Sequence, residues 1–186
     1  PNGSWPTDDI LVDETIKTLD ATPDQPDFTY TITVSSHGDY PTAPVIENPK
    51  YTISGVEDEA KANQWTYYVN QLNAVDRFMA DLIRKVESRN EDTIIVFFGD
   101  HLPTMGLTDA DMRSGDIYKT NYVTWNNFGL EKKDADLYAW QLMAAVTDQA
   151  GIHEGTVFTW HQTQAQAADY SAGLENLQYD ILYGSR

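Results

Sequence analysis

Residues 93–103 read TIIVFFGDHLP, and few folds accommodate that order of residue types. The run 93–98 is rich in β-branched and aromatic side chains and predicts a buried strand. Gly99 ends it, and Asp100 and His101 stand side by side just beyond. In open α/β folds, ligands bind outside the carboxyl ends of the strands, so this pair lies where chemistry is usually found. Neighbouring side chains of a regular strand point to opposite faces. Asp100 and His101 therefore reach one ion only if the backbone turns as it leaves the sheet. Gly99, which lacks a Cβ, is expected to permit that turn, and Pro103 keeps the next segment from continuing as strand.

The elements around this strand follow from periodicity. Residues 1–6 read as irregular. A short helix is expected through about Asp20, with Thr7, Asp8 and Asp9 as cap and first-turn acids and Val12, Ile16 and Leu19 on one face. Residues 28–34 (FTYTITV) alternate and predict a strand ending at Ser35-Ser36-His37-Gly38-Asp39. Residues 41–54, with three prolines, predict a surface loop. A long helix is expected over about 57–88, its stripe formed by Trp65, Tyr68, Val69, Leu72, Val75, Met79, Leu82, Ile83 and Val86. Asp76 falls inside that stripe and should face the sheet, either orienting a ligand or tying down backbone amides. Beyond Pro103 lie a polar loop, a strand at 122–125, a helix to about Ala150 capped by Asp134 or Asp136 and closed by Gly151, a weakly patterned helix over 156–168, and a last helix over 174–183. Strand, long helix and strand in succession imply a right-handed βαβ crossover. Residues 1–186 are expected to form a single domain.

The 186 residues suffice for a real core, and 41% apolar with 12% aromatic residues fits a globular chain. The net charge of −17 repels phosphate backbones, which argues against nucleic acid as a partner. An anionic substrate would need a local positive centre, which a divalent cation supplies. With no cysteine, disulfide frameworks, thiolate zinc sites and cysteine nucleophiles are excluded. No apolar run is long enough to span a bilayer. The chain begins at Pro1 without a signal-peptide pattern, and reads as a piece of a longer protein.

Four histidines are present, and two of them, His37 and His101, follow expected strands. If those strands are parallel neighbours, both imidazoles emerge at one sheet edge beside Asp100. A carboxylate and two imidazoles suit a hard or borderline cation together with a bound anion. The plainer alternative is that Asp100 is a turn former. His153 is read as exposed near a helix C-terminus, His161 as a surface residue, and Glu57-Asp58-Glu59 as a solvated helix start.

FFGDHLP at 97–103 resembles the metal-binding signature of the lipoteichoic acid synthase and phosphoglycerol transferase family, within the sulfatase and alkaline phosphatase superfamily. ITVSSHGDYP at 32–41, the long helix with Tyr67, Tyr68 and Asp76, and LQYDILYG at 177–184 resemble further segments of that family, in the same order. The resemblance implies the C-terminal part of a sulfatase-like α/β sandwich, a mostly parallel β-sheet flanked by helices. It implies manganese or magnesium held by Asp100 and His101, and His37 against the phosphate or glycerol head of the substrate. One departure is Asp39, where relatives often carry proline.

By the same resemblance, a catalytic threonine and a glutamate ligand lie upstream, in the other half of the domain, and no threonine here occupies that motif. The whole protein would transfer phosphoglycerol from a phosphatidylglycerol-type lipid to a polyglycerolphosphate-type acceptor. It would do so at the extracytoplasmic face of a bacterial membrane, with the present chain inactive alone. Two alternatives stay open. One is a sulfatase, phosphatase or phosphoethanolamine transferase of the same superfamily, and the other is a binding module that keeps the fold without catalysis.

Overall fold

Asp58 starts the longest element of the fold: its carboxylate accepts a hydrogen bond from the Lys61 N–H at 3.1 Å and caps helix α2, Glu59–Glu87. The structure, a computed structural model, describes residues 6–184, so the irregular start expected at 1–6 lies almost wholly outside the described residues. The chain divides into two units, one of residues 1–91 and 96–123, the other of residues 92–95 and 124–186.

In the first unit, α1 (Asp9–Asp20) packs on α2. Val12 from α1 and Phe78, Leu82 and Val86 from α2 are buried, each worth about 1.5–3 kcal/mol relative to exposure. Beyond α2, the Arg89 guanidinium pairs with Asp20 and, at 3.0 Å, with Glu91, which ties the end of α1 to the approach to the sheet. The buried stripe of α2 keeps the expected Leu82 and Val86 but departs from the expected one over the middle turns. Phe78 is 3% exposed whereas Leu72 is 41% exposed, and Asp76 faces solvent. The helix meets another helix here, not a sheet face, so Asp76 does not face the sheet as expected and has no burial to offset.

The polar residues of α2 have a different task. Asn70 donates to the Tyr51 carbonyl at 2.7 Å and accepts from the Tyr51 N–H at 3.2 Å. Thr66 Oγ1 accepts from the Ile53 N–H at 3.2 Å, and Asn63 Nδ2 and Gln64 Nε2 donate to the carbonyls of Thr42 and Tyr40. The proline-rich loop makes no ladder of its own, so amide and hydroxyl side chains of one helix face satisfy its backbone.

Strands β1 (Ile94–Phe98) and β2 (Tyr122–Asn126) pair with each other. The Gly99 N–H donates to the Asn121 carbonyl at 3.1 Å and the Asn127 N–H to the Thr93 carbonyl at 3.4 Å. Residue numbers fall along one strand as they rise along the other, so the pair is antiparallel. The expected mostly parallel sheet and βαβ crossover are therefore corrected for the described residues. Residues 28–34 join no ladder, and Phe28, Tyr30 and Ile32 point alternate side chains outward. With one strand neighbour, β1 is half-buried and not fully buried as expected.

The second unit holds α3 (Leu142–Gln149), α4 (Thr156–Gln164) and α5 (Tyr170–Tyr183). Asp134 pairs with Lys132 at 2.8 Å instead of capping α3, which follows a 3-10 turn at Ala139–Gln141. Its end is as expected: Gly151 takes φ +73°, its N–H donates to the Asp148 carbonyl at 3.0 Å, and the Ile152 N–H reaches the Thr147 carbonyl at 2.8 Å. A groove of about 430 Å³ is lined by Trp140, Val157, His161, Leu174, Leu177, Gln178 and Ile181. No helix among the described residues is long and apolar enough to cross a membrane.

Candidate functional site

The ladder ends where Gly99 bonds Asn121, and the chain then turns at once. The Asp100 carboxylate makes that turn: its Oδ1 accepts from the His101 N–H at 2.9 Å. Gly99 has no positive φ, and a Cβ there would meet Thr120 at an ordinary 3.7 Å, so the turn does not need a glycine. Pro103 is buried and ends the extended run.

His101 Nδ1 lies 2.8 Å from the Leu102 carbonyl oxygen, which can only accept, so Nδ1 carries the proton of that bond. In the neutral ring Nε2 is then left as a bare lone pair, and it faces Asp100 Oδ2 at 3.7 Å. A carbonyl that holds Nδ1 fixes the tautomer and leaves Nε2 as the nitrogen able to accept a proton or a cation. Two ligands of one small divalent cation lie about 3.0–3.4 Å apart, so a small rotation brings this pair into range. The donor set of one carboxylate oxygen and one imidazole nitrogen suits manganese or magnesium as well as zinc. Among the described residues no group of three such side chains forms.

The His37 ring stands edge-on to that of His101, with centroids 5.9 Å apart. The structure thus brings together the three residues singled out in the sequence, although not by the parallel strands expected. His37 arrives on a turn in which its own N–H donates to the Val34 carbonyl at 3.0 Å. The turn is held from two directions. Asp8, 2% exposed, accepts from the Val34 N–H at 2.8 Å and the Ser35 N–H at 3.1 Å, and its own N–H donates to Ser35 Oγ at 3.1 Å. Tyr40 is buried, donates from its hydroxyl to the Ser36 carbonyl at 3.1 Å and packs edge-on against Tyr68. Burial pushes the Tyr40 and Tyr68 hydroxyls above their ordinary pKa, in accord with Tyr40 as a neutral donor to Ser36.

Sequence reasoning found the type of Asp8 but not its partner. It precedes α1 as a cap should, yet makes no cap bond to that helix and reaches backbone 26 residues away. His161 was expected at the surface and is 7% exposed, bonded to Tyr170, with burial holding its pKa below the ordinary value. His153 is exposed as expected, with Nδ1 near Asp148 and Gln162.

A carboxylate and an imidazole turned toward each other at the end of a strand, with a second imidazole alongside, offer one oxygen and one nitrogen donor at the place where α/β enzymes usually bind their ligands. The family model described as Sulfatase matches residues 2–152, most of the chain, and the chain belongs to the sulfatase family. Over 103 residues it is 30% identical to a "Putative cyclic beta-1,2-glucan modification protein" of Rhizobium meliloti (strain 1021), a match covering 55% of this chain and 16% of that protein. No solved structure matches.

Proposed function

We propose that Asp100 Oδ2 and His101 Nε2 hold one divalent cation, manganese or magnesium, and that His37 contacts the phosphate or glycerol head of a phosphatidylglycerol-type lipid. The parent enzyme transfers phosphoglycerol to a polymer outside the bacterial membrane. The observation that carries this reading is the imidazole of His101, anchored through Nδ1 at 2.8 Å with Nε2 facing Asp100, and flanked by His37 at 5.9 Å. The bound cation would offset charge on the phosphoryl oxygens, which a chain of net charge −17 otherwise repels. On this reading the nucleophilic threonine and the remaining ligands come from sequence outside these residues, and the other half of the domain is the chain's first partner. Nucleic acid is not a partner.

One observation favours a second reading of the acceptor. The named role of the Rhizobium meliloti relative is modification of a cyclic β-1,2-glucan, which points to a glucan in place of a polyglycerolphosphate. A sulfatase acting on sulfate esters is the rival within the family.

The test uses manganese titration of the chain, followed by assays of the complete gene product with phosphatidylglycerol, aryl phosphate and aryl sulfate. Weak manganese binding, abolished in Asp100→Ala and His101→Ala, and turnover of phosphatidylglycerol alone are expected. Manganese binding that survives Asp100→Ala overturns the site, and preferred sulfate-ester hydrolysis overturns the substrate. Supplying cyclic glucan and polyglycerolphosphate as competing acceptors separates the two acceptor readings.

A further inference from the structure

We infer that Asp8 is a positioning residue for the anion contact: its buried carboxylate sets where His37 stands relative to His101. The inference rests on the function proposed above for His37, but its geometric core can be tested without a ligand.

A carboxylate 2% exposed must be well compensated, because an uncompensated buried charge costs several kcal/mol. Among the described residues, Asp8 is compensated by donors from one place, the N–H groups of Val34 and Ser35. Its own N–H closes the ring by donating to Ser35 Oγ at 3.1 Å. These bonds join residues 26 and 27 apart, so they fold the chain back on itself and are not incidental to α1. Charge-assisted bonds of this kind are roughly twice as strong as neutral ones.

The consequence passes along the backbone. Val34, whose N–H is bound by Asp8, offers its carbonyl to the His37 N–H at 3.0 Å. The other wall is not carried by α1: a Cβ on Gly38 would stand 3.7 Å from Thr104 Oγ1, so the turn abuts the segment that follows Asp100 and His101. With Asp8 in place the two imidazoles meet at 5.9 Å. Without it the Val34 and Ser35 N–H groups lose their acceptor, and the turn is free to take water and re-aim His37. Asp100 and His101 keep their own local bonds, to the His101 N–H and the Leu102 carbonyl, and owe nothing to Asp8.

The inference therefore separates two affinities that a merely structural residue would move together. In Asp8→Ala we expect the nuclear Overhauser contact between the His37 and His101 rings to vanish. Binding of sn-glycerol 1-phosphate, measured with manganese present, weakens at least fivefold, while manganese affinity stays within twofold. Asp8→Asn keeps one acceptor oxygen and should fall between Asp8→Ala and the unaltered chain. It is read in place of Asp8→Ala if circular dichroism shows that variant unfolded. An unchanged ring contact overturns the inference, and so does a parallel fall of manganese and glycerol phosphate affinity. If the unaltered chain shows the ring contact but binds no glycerol phosphate, the proposed role of His37 fails while the positioning by Asp8 is still decided by the contact.

Discussion

The Tyr170 hydroxyl lies 2.9 Å from Nδ1 of His161, and the same oxygen takes the Trp140 indole N–H at 2.9 Å. An indole N–H only donates, so the arrangement that satisfies all three groups has Tyr170 donating to a bare Nδ1. Protonated His161 would present a second donor there and leave the Tyr170 proton without an acceptor. Burial holds the His161 pKa below its ordinary 6.5, in accord with a neutral ring.

A pH dependence of known sign follows. A histidine whose folded pKa is lowered contributes stability that is full above its unfolded pKa and is lost as pH falls from there through the folded value. As pH falls below 6.5 the melting temperature should therefore fall, and His161→Phe should flatten that fall. The substitution also strands the Tyr170 hydroxyl and should cost about 1–3 kcal/mol at pH 7.5. Thermal melts of both proteins across this range check it. A slope unchanged by the substitution would show that another group titrates.

Gly173 lies in α5 where an added Cβ would come 2.8 Å from Trp160 Cζ2. Two effects compete in Gly173→Ala. Helix propensity favours alanine by about 1 kcal/mol, and overpacking against a rigid ring costs about 1–3 kcal/mol. Trp160 also packs on Tyr170 and His161, so it cannot turn aside cheaply. Net destabilisation of about 1–2 kcal/mol is expected, read by urea denaturation together with a change in tryptophan fluorescence. Stabilisation would mean that the ring has room to move.

Asn70 clamps the proline-rich loop at Tyr51, and a swap of its chemistry at constant shape shows how. Asn70→Ala removes the two bonds to Tyr51 and should cost about 1–2 kcal/mol, with faster proteolysis between residues 43 and 52. Asn70→Asp keeps an acceptor for the Tyr51 N–H but turns a carboxylate oxygen toward the Tyr51 and Thr66 carbonyls, which the amide now serves at 2.7 Å. It should be no better than alanine. Limited proteolysis at a fixed time, resolved by mass spectrometry, ranks the three proteins.

What could be read from the residues and what could not divides by distance along the chain. Helices α1 and α2, the strand before Gly99 and the left-handed Gly151 are local patterns, and each is found within a few residues of its expected place. His37 and His101 do stand together, but the parallel strands expected to bring them there do not form, so their meeting was reached on a wrong premise. The pairing partner of a strand is not a local property. The alternation of residues 28–34 is the same whether or not a neighbour is present, and here those residues have none among the described strands. Asp76 failed for a related reason: the 3-4 spacing gives a stripe, but its centre depends on the element packed against it, here α1. Asp8 and His161 are buried by contacts made far along the chain or by an aromatic cluster, and no window of sequence around either shows it.

Asp39 tests the point at which this chain departs from the family it resembles. Its φ is +58°, in the left-handed region that non-glycine residues seldom enter and that aspartate and asparagine tolerate best. Proline is locked near −65° and cannot adopt that backbone. A turn built for proline after His-Gly must therefore follow a different path from this one. Glycine at this position removes the steric cost of about 1 kcal/mol but adds a similar cost in unfolded-chain entropy, so Asp39→Gly should change stability by less than about 0.5 kcal/mol. Asp39→Asn should behave alike. Asp39→Pro should cost about 3 kcal/mol or more, or else rebuild the turn and move His37 two residues upstream. The two outcomes are told apart by the His37–His101 ring contact in the nuclear Overhauser spectrum. A proline variant with unchanged stability and an unchanged contact would show that the left-handed residue is not what shapes this turn.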